Sequence, residues 1–217
     1  MYQEPEKSCS LCPRLKDFRD ENQKQYPCFF NAPVPSFGSL DASILIVGLA
    51  PGLKGANATG RPFTGDYAGK LLYSSLKKFN LLEGEYREDP NDGVVLQNCR
   101  ITNAVKCVPP KNKTTPQEEK NCGHFLIQEI KNMPNLKGIF CLGNTAHSAV
   151  LSALGLKKSA VKFKHGAINE IKPETKELNK LGFIMASSYH SSRYNVNTNR
   201  ITQEMLDDVF EKLLAKI

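Results

Sequence analysis

Four of the seven cysteines come in pairs whose spacing suits ligation. Cys9 and Cys12 form a C-x2-C pair in SCSLC, and Cys107 and Cys122 form a C-x14-C pair. Four thiolates from two distant segments fit an all-cysteine, four-ligand site. Spacing alone does not separate zinc from a [4Fe–4S] cluster. The alternative is four inert buried thiols, but a C-x2-C pair close to an exposed N-terminus rarely arises for packing. The cysteine count is odd, and MYQEPEKSCSLCPRL carries no apolar leader. A reducing compartment is therefore expected, where metal ligation outranks a disulfide framework. Cys99 and Cys141 lie in or beside apolar runs and read as small core residues. Cys28, in QYPCFFNAPVP, has no partner spacing.

A second stretch with chemical potential is GLAPGLKGANATGRPFTGD, residues 48–66, which follows the apolar run Ile44-Leu45-Ile46-Val47. Its five glycines and two prolines invite a phosphate-loop reading. The stretch contains neither G-x-x-x-x-G-K-[ST] nor G-x-G-x-x-G, so both standard phosphate motifs fail. What remains is a loop whose backbone comes very close to something. Phe63 offers a ring that stacks a ligand or fills the core, and Asp66 is the only carboxylate of the stretch. Taken alone, Asp66 reads first as a helix N-cap.

These residues must be held by a scaffold, and the pattern of apolar runs gives one. Residues 43–48, 100–105, 138–142 and 183–187 read as buried strands. Amphipathic helices are expected over 66–79, 116–132, 144–154 and about 202–216. Leu71, Leu72, Leu76 and Phe79 share one face of the first helix, and the last carries Met205, Val209, Leu213 and Leu214. Thr115, Pro116 and Glu118 form a capping box, Asn144 is the expected N-cap of the third helix, and Thr202 opens the last. Residues 161–172 read as a hairpin or irregular insert. Alternating strands and helices predict an α/β fold with a mostly parallel sheet covered on both faces. The unusual polar sequences all sit at or just past strand ends: GLAPG, NAVKC, LGN and SSYHSSRYN. Ligands of open α/β sheets bind beyond the carboxyl ends of the strands, so these loops are expected to build one site.

The 217 residues suit one α/β domain, with 40% hydrophobic residues for its core. Lys and Arg outnumber Asp and Glu by 29 to 22, a net charge of +7, which favours a polyanionic partner such as nucleic acid. No apolar run reaches the roughly 18 residues that mark a membrane-spanning helix. A cytoplasmic protein with no membrane association is expected, and the N-x-T strings at Asn57 and Asn112 read as chance matches.

GLAPG-x-x-GAN-x-TGRPFTGD followed by AG-x-LLY resembles the first motif of the uracil-DNA glycosylase superfamily in its family 5 (b-type) form. NAVKCVPP-x-NK-x-TP-x-E-x-x-NC and SYHSSRYN-x-NT-x-RIT resemble the downstream motifs of that family, and PVPSFG, LG-x-x-A and KHG also fit. The match is collinear over nearly the whole chain. The resemblance implies a three-layer α/β/α sandwich around a central, mostly parallel sheet, four-stranded by the run count above, in a single domain over 1–217. It implies an enzyme, monomeric here by expectation, that excises uracil and other deaminated bases from DNA. Matched motif by motif, it makes Cys9, Cys12, Cys107 and Cys122 the ligands of a [4Fe–4S] cluster, two of them in the N-terminal segment 1–40. Phe63 becomes the stacking platform, Asn103 the reader of the uracil edge, His190 the electrophilic catalyst, and Asp66 the residue that positions or activates water. Gly48, Leu49, Ala50, Ser191 and Arg193 join the substrate-binding set, with Arg193 bracing the gap left by an extruded base.

The chain departs from that pattern at Gly52 and Lys54, where the family commonly has Ala and His, at Ser191 for Pro, and at Asn199 for Gly. Sister families carry Asp, Glu or Asn in the front half of the first motif. Here Ala50-Pro51-Gly52 offers no such side chain, which shifts the expected weight of catalysis to leaving-group stabilisation by His190. Two rival readings are a non-catalytic nucleic-acid-binding module on the same fold and an electron-transfer protein. Asn103, Phe63 and His190 occurring together weigh against the first, and the lack of any second redox centre against the other.

Overall fold

The structure, a computed structural model, describes residues 2–175, 178 and 181–217. The elements run α1 (Pro13–Gln25), β1 (Ile44–Gly48), α2 (Ala56–Thr59), α3 (Tyr67–Lys78), β2 (Leu82–Glu83), β3 (Val95–Leu96), β4 (Cys99–Asn103), a 3-10 turn (Pro110–Asn112), α4 (Pro116–Lys131), β5 (Gly138–Leu142), α5 (Asn144–Ala153), β6 (Ala167–Ile171), β7 (Phe183–Ser188), α6 (Arg193–Asn197) and α7 (Gln203–Leu214). The main sheet has the order β4-β1-β5-β7-β6. β1, β4, β5 and β7 pair in parallel and β6 joins antiparallel.

The continuous apolar run of β1 is buried at every residue because both faces of the sheet are covered. Its side chains alternate between two cores. Ile44 and Ile46 pack with Leu72 and Leu76 of α3 and with Val209, Phe210 and Leu213 of α7. Leu45 and Val47 pack with Leu126 and Ile130 of α4 and with Val150 and Leu151 of α5. Helix, sheet, helix is the resulting order of layers.

The main sheet has five strands where four were expected. The fifth, β6, comes from the stretch 161–172, and its register runs from Ala167 opposite Ser187 to Ile171 opposite Phe183. Only Ile171 of β6 is buried, so this edge strand lacks the apolar run that marks the other four. The helix α1 had no apolar signature either, since Leu15 is its only buried apolar residue. The capping box forms as expected: Glu118 N–H donates to Thr115 Oγ1 (3.3 Å) and Thr115 N–H to Glu118 Oε2 (2.8 Å). The N-cap of α5 is Gly143, in the left-handed region at φ 97°, and not Asn144, which is the first helical residue. Among the described residues no helix is long and apolar enough to cross a membrane.

Candidate active site and cysteine site

A cavity of about 770 Å³ opens past the carboxyl ends of the parallel strands. Leu49, Ala50, Phe63, Asp66, Asn103, His190 and Arg193 all line it. Gly48 and Ser191 do not, and each supports the lining from behind.

Asn103 ends β4, in register with Gly48 at the end of β1. Asn103 is 3% exposed and lines the cavity, and its amide is in no side-chain hydrogen bond among the described residues. A buried amide facing a cavity keeps both a donor and an acceptor available to whatever enters it. Gly48 makes the arrangement possible. A Cβ there would lie 2.5 Å from Asn103 Oδ1 and 2.7 Å from Phe63 Cζ.

Phe63 has φ 54°, a left-handed conformation that costs a non-glycine residue energy and needs its surroundings to hold it. Tyr86 Oη donates to Phe63 O (3.0 Å), and Tyr73 Oη donates to Pro62 O (3.1 Å). The two tyrosines stack on each other at 4.0 Å. Beside them, Arg61 makes a two-pronged ion pair with Asp92 at 2.7 and 2.8 Å. The same guanidinium lies 5.2 Å from the Phe37 ring and 5.5 Å from that of Tyr73. Sequence reasoning missed Tyr73, Tyr86 and the Arg61–Asp92 pair. Their common signal, charge and aromatics next to a Gly-rich loop, was legible only once the 80–98 segment folded over it.

Asp66 caps α3 and also lines the cavity. Its Oδ1 accepts the Gly69 N–H at 3.2 Å and caps α3, while its Oδ2 lies over Gly52 at the cavity wall. A Cβ at Gly55 would fall 2.7 Å from Asp66 Cβ, so the loop glycines make room for the carboxylate. Burial pushes its pKa up, with Gly69 and Ala68 N–H groups opposing.

The His190 ring stands 6.2 Å from that of Phe63. Burial pushes its pKa down, so at neutral pH it is a neutral imidazole, able to donate one hydrogen bond into the cavity. Its carbonyl accepts from Asn195 Nδ2 (2.8 Å), and the next residue, Ser191, donates from Oγ to Ala68 O (2.9 Å). Arg193 opens α6 at the rim with its guanidinium 5.5 Å from the Tyr67 ring. Lys54, Asn112 and Asn144 also line the cavity and were not foreseen as site residues.

Cys9, Cys12, Cys107 and Cys122 share one pocket just past the end of β4. Arg14 brings the two pairs together: Nε and Nη2 donate to the Glu118 carboxylate at 2.7 Å each, and so tie α1 to α4. Asn121 Nδ2 adds a bond to Leu11 O (2.7 Å). Lys106 N–H donates to Cys122 Sγ (3.3 Å), and Asn121 Nδ2 lies 3.8 Å from Cys12 Sγ. The buried Arg19 spans Lys7 O and Cys9 O, and its Nε is left without a partner. Burial pushes the Cys107 thiol up to about 12 and that of Cys122 to about 11. Among the described residues no group of three or more His, Cys, Asp or Glu forms a site for a single metal ion. Cys99 and Cys141 are buried in the cores, as expected, and Cys28 is exposed.

An aromatic ring, a buried amide, an imidazole and a carboxylate line one cavity past the carboxyl ends of a mostly parallel sheet, the place where open α/β sheets bind ligands. Residues 35–214 match the model of the family described as the Uracil DNA glycosylase superfamily. The chain is 40% identical over 207 residues to the type-5 uracil-DNA glycosylase of Thermus thermophilus, covering 93% of this chain and 90% of that protein. It is 37% identical to the type-5 enzyme of Pyrobaculum aerophilum, covering 96% and 88%. Similarity to the type-4 uracil-DNA glycosylase of Thermotoga maritima is 38% over 133 residues, 61% of this chain and 60% of that one. The chain belongs to the uracil-DNA glycosylase superfamily.

Proposed function

We propose that the protein is a DNA repair hydrolase that extrudes uracil from DNA and cleaves its N-glycosidic bond, leaving an abasic site. The observation that carries this reading is the unpartnered Asn103 amide, buried beside Phe63 and facing the cavity. An amide presents a donor to uracil O4 and an acceptor to N3–H. Extrusion costs a few kcal/mol, less for a mispaired uracil, and Arg193 at the rim is placed to brace the vacated stack. Phe63 stacks the extruded base. As the bond breaks, negative charge builds on the base, and the neutral His190 donates a hydrogen bond to O2 as that charge develops. Asp66, through its free Oδ2, faces the cation-like sugar and orients the attacking water. No other carboxylate lines the cavity among the described residues. Gly52, Gly55 and Gly65 leave room along the cavity wall, and hypoxanthine and xanthine are proposed as further substrates.

The cysteine pocket fits a [4Fe–4S] cluster. Four thiols and three N–H groups, from Lys106, Asn121 and the unpaired Arg19 Nε, suit a negatively charged sulfur set. Four cysteines lining one pocket suit a multi-iron group. Held by Cys9, Cys12, Cys107 and Cys122, it would crosslink the N-terminal segment to β4 and α4. We further propose a monomeric, single-domain enzyme working in the cytoplasm. The test is strand cleavage by alkali after incubation with duplexes carrying uracil, hypoxanthine or xanthine opposite each base. Cleavage at uracil supports the reading, and an intact uracil strand refutes it.

A further inference from the structure

The KHG motif at 164–166 has no part in the reaction above. Gly166 N–H donates to Ser187 O (2.8 Å) from the turn that leads into β6. Next to it in the turn, the acceptor is a side chain: Tyr189 N–H donates to His165 Nδ1 at 3.1 Å. The imidazole lies flat on the Tyr189 ring, 4.9 Å away with 6° between planes, and the Arg200 guanidinium is 4.8 Å from the centre of that ring. Tyr189 directly precedes His190. The carbonyl of His190 is held by Asn195 and the hydroxyl of Ser191 by Ala68 O, so three consecutive residues are anchored to three different segments.

We propose that His165 is a positioning residue for base excision: by accepting the Tyr189 N–H it fixes where β7 ends and where the His190 imidazole enters the cavity. This rests on the function proposed above, in which His190 acts on the base. A backbone N–H only donates, so Nδ1 must be bare and Nε2 must carry the proton. The other group near Nδ1, Ser188 Oγ at 3.4 Å, donates its hydrogen to Tyr189 O at 3.0 Å. A protonated His165 would set two N–H groups face to face and release the anchor. Charged groups around the ring are Lys164 on its own segment and Glu204, Asp208 and Lys212 on α7, which share one open groove with it. Burial, the largest influence, lowers its proton affinity and favours the bare Nδ1.

Two substitutions separate anchor from packing. His165→Phe keeps a flat ring on Tyr189 and loses the acceptor, and His165→Asn sets an amide oxygen near the position of Nδ1. Single-turnover uracil release should fall about 10- to 100-fold in H165F with DNA affinity and melting temperature unchanged. H165N should return to within about threefold of the wild type. H165F at the wild-type rate, or H165N as slow as H165F, overturns the proposal. Nitrogen NMR of ring-labelled histidine in the wild-type protein reads the tautomer without catalysis or substitution. A bare Nδ1 at neutral pH is expected, and a proton on Nδ1 overturns the proposal. A wild type that releases no uracil refutes the proposed function instead, and the tautomer then decides the His165 anchor by itself.

Discussion

His190 and Asp66 are shifted in opposite directions by the same cause, burial beside one cavity. Burial favours the neutral form of each, which suits His190 as a donor and costs Asp66 as a charge. His190→Ala should slow uracil release by about 10²- to 10³-fold with DNA affinity nearly intact, because the contact matures only as charge leaves the sugar. Rate and affinity falling together would assign it a structural role. Asp66→Asn preserves the cap, since Asn and Asp cap about equally well, whereas Asp66→Ala loses it at about 1 kcal/mol. The folded-state pKa of Asp66 is raised, so the folded protein holds its proton more tightly, and stability falls as pH rises through the window between the ordinary and the raised value. D66N should therefore melt no lower than the wild type at neutral pH while excising slowly. The wild-type rate should drop as acid protonates Asp66, and D66N should lose that limb. A D66N enzyme of wild-type rate would reduce Asp66 to a cap. The sequence presented cap and catalyst as alternatives because it cannot show that two oxygens of one carboxylate face two different neighbours.

At the scale of elements, the four buried strands were legible because sheets covered on both faces demand continuous apolar runs. β6, α1 and α6 were not, because half-exposed or polar segments carry no such mark. The segment between α3 and β4 was equally silent, yet it holds the strained Phe63. Arg61 and Asp92 anchor it, and their side chains are 7% and 0% exposed. Removing one partner of such a pair strands the other charge, so Asp92→Ala should lose about 3–5 kcal/mol in denaturant titration. Arg61 holds the Asp92 carboxyl far below the ordinary carboxylate range. Its stabilisation is full above the ordinary Asp pKa and disappears as pH falls through the lowered value, so D92A should flatten the acid limb of the stability curve. A loss under 1 kcal/mol, the size of a surface pair, would contradict the buried geometry.

Across the whole molecule, two sites gather around the carboxyl end of β4. Asn103 ends the strand at the cavity, and Lys106 and Cys107, just beyond it, reach the cysteine pocket. The cysteine spacing was legible in the sequence. The clamp that brings the pairs together, Arg14 on Glu118, was not, since its members lie 104 residues apart. Anaerobically purified protein should be brown and carry about four irons per chain, and Cys122→Ser should lose colour and cooperative melting together. Stoichiometric zinc in a colourless protein would refute the cluster. The most direct measurement is the single-turnover release of uracil from a duplex by wild type and Asn103→Asp. An aspartate keeps the shape and loses the donor to uracil O4. Rapid release by the wild type and a loss of about 10²-fold or more in N103D is the expected result. An intact strand with the wild type, or equal rates in the two proteins, would contradict a pocket in which the Asn103 amide reads an extruded uracil.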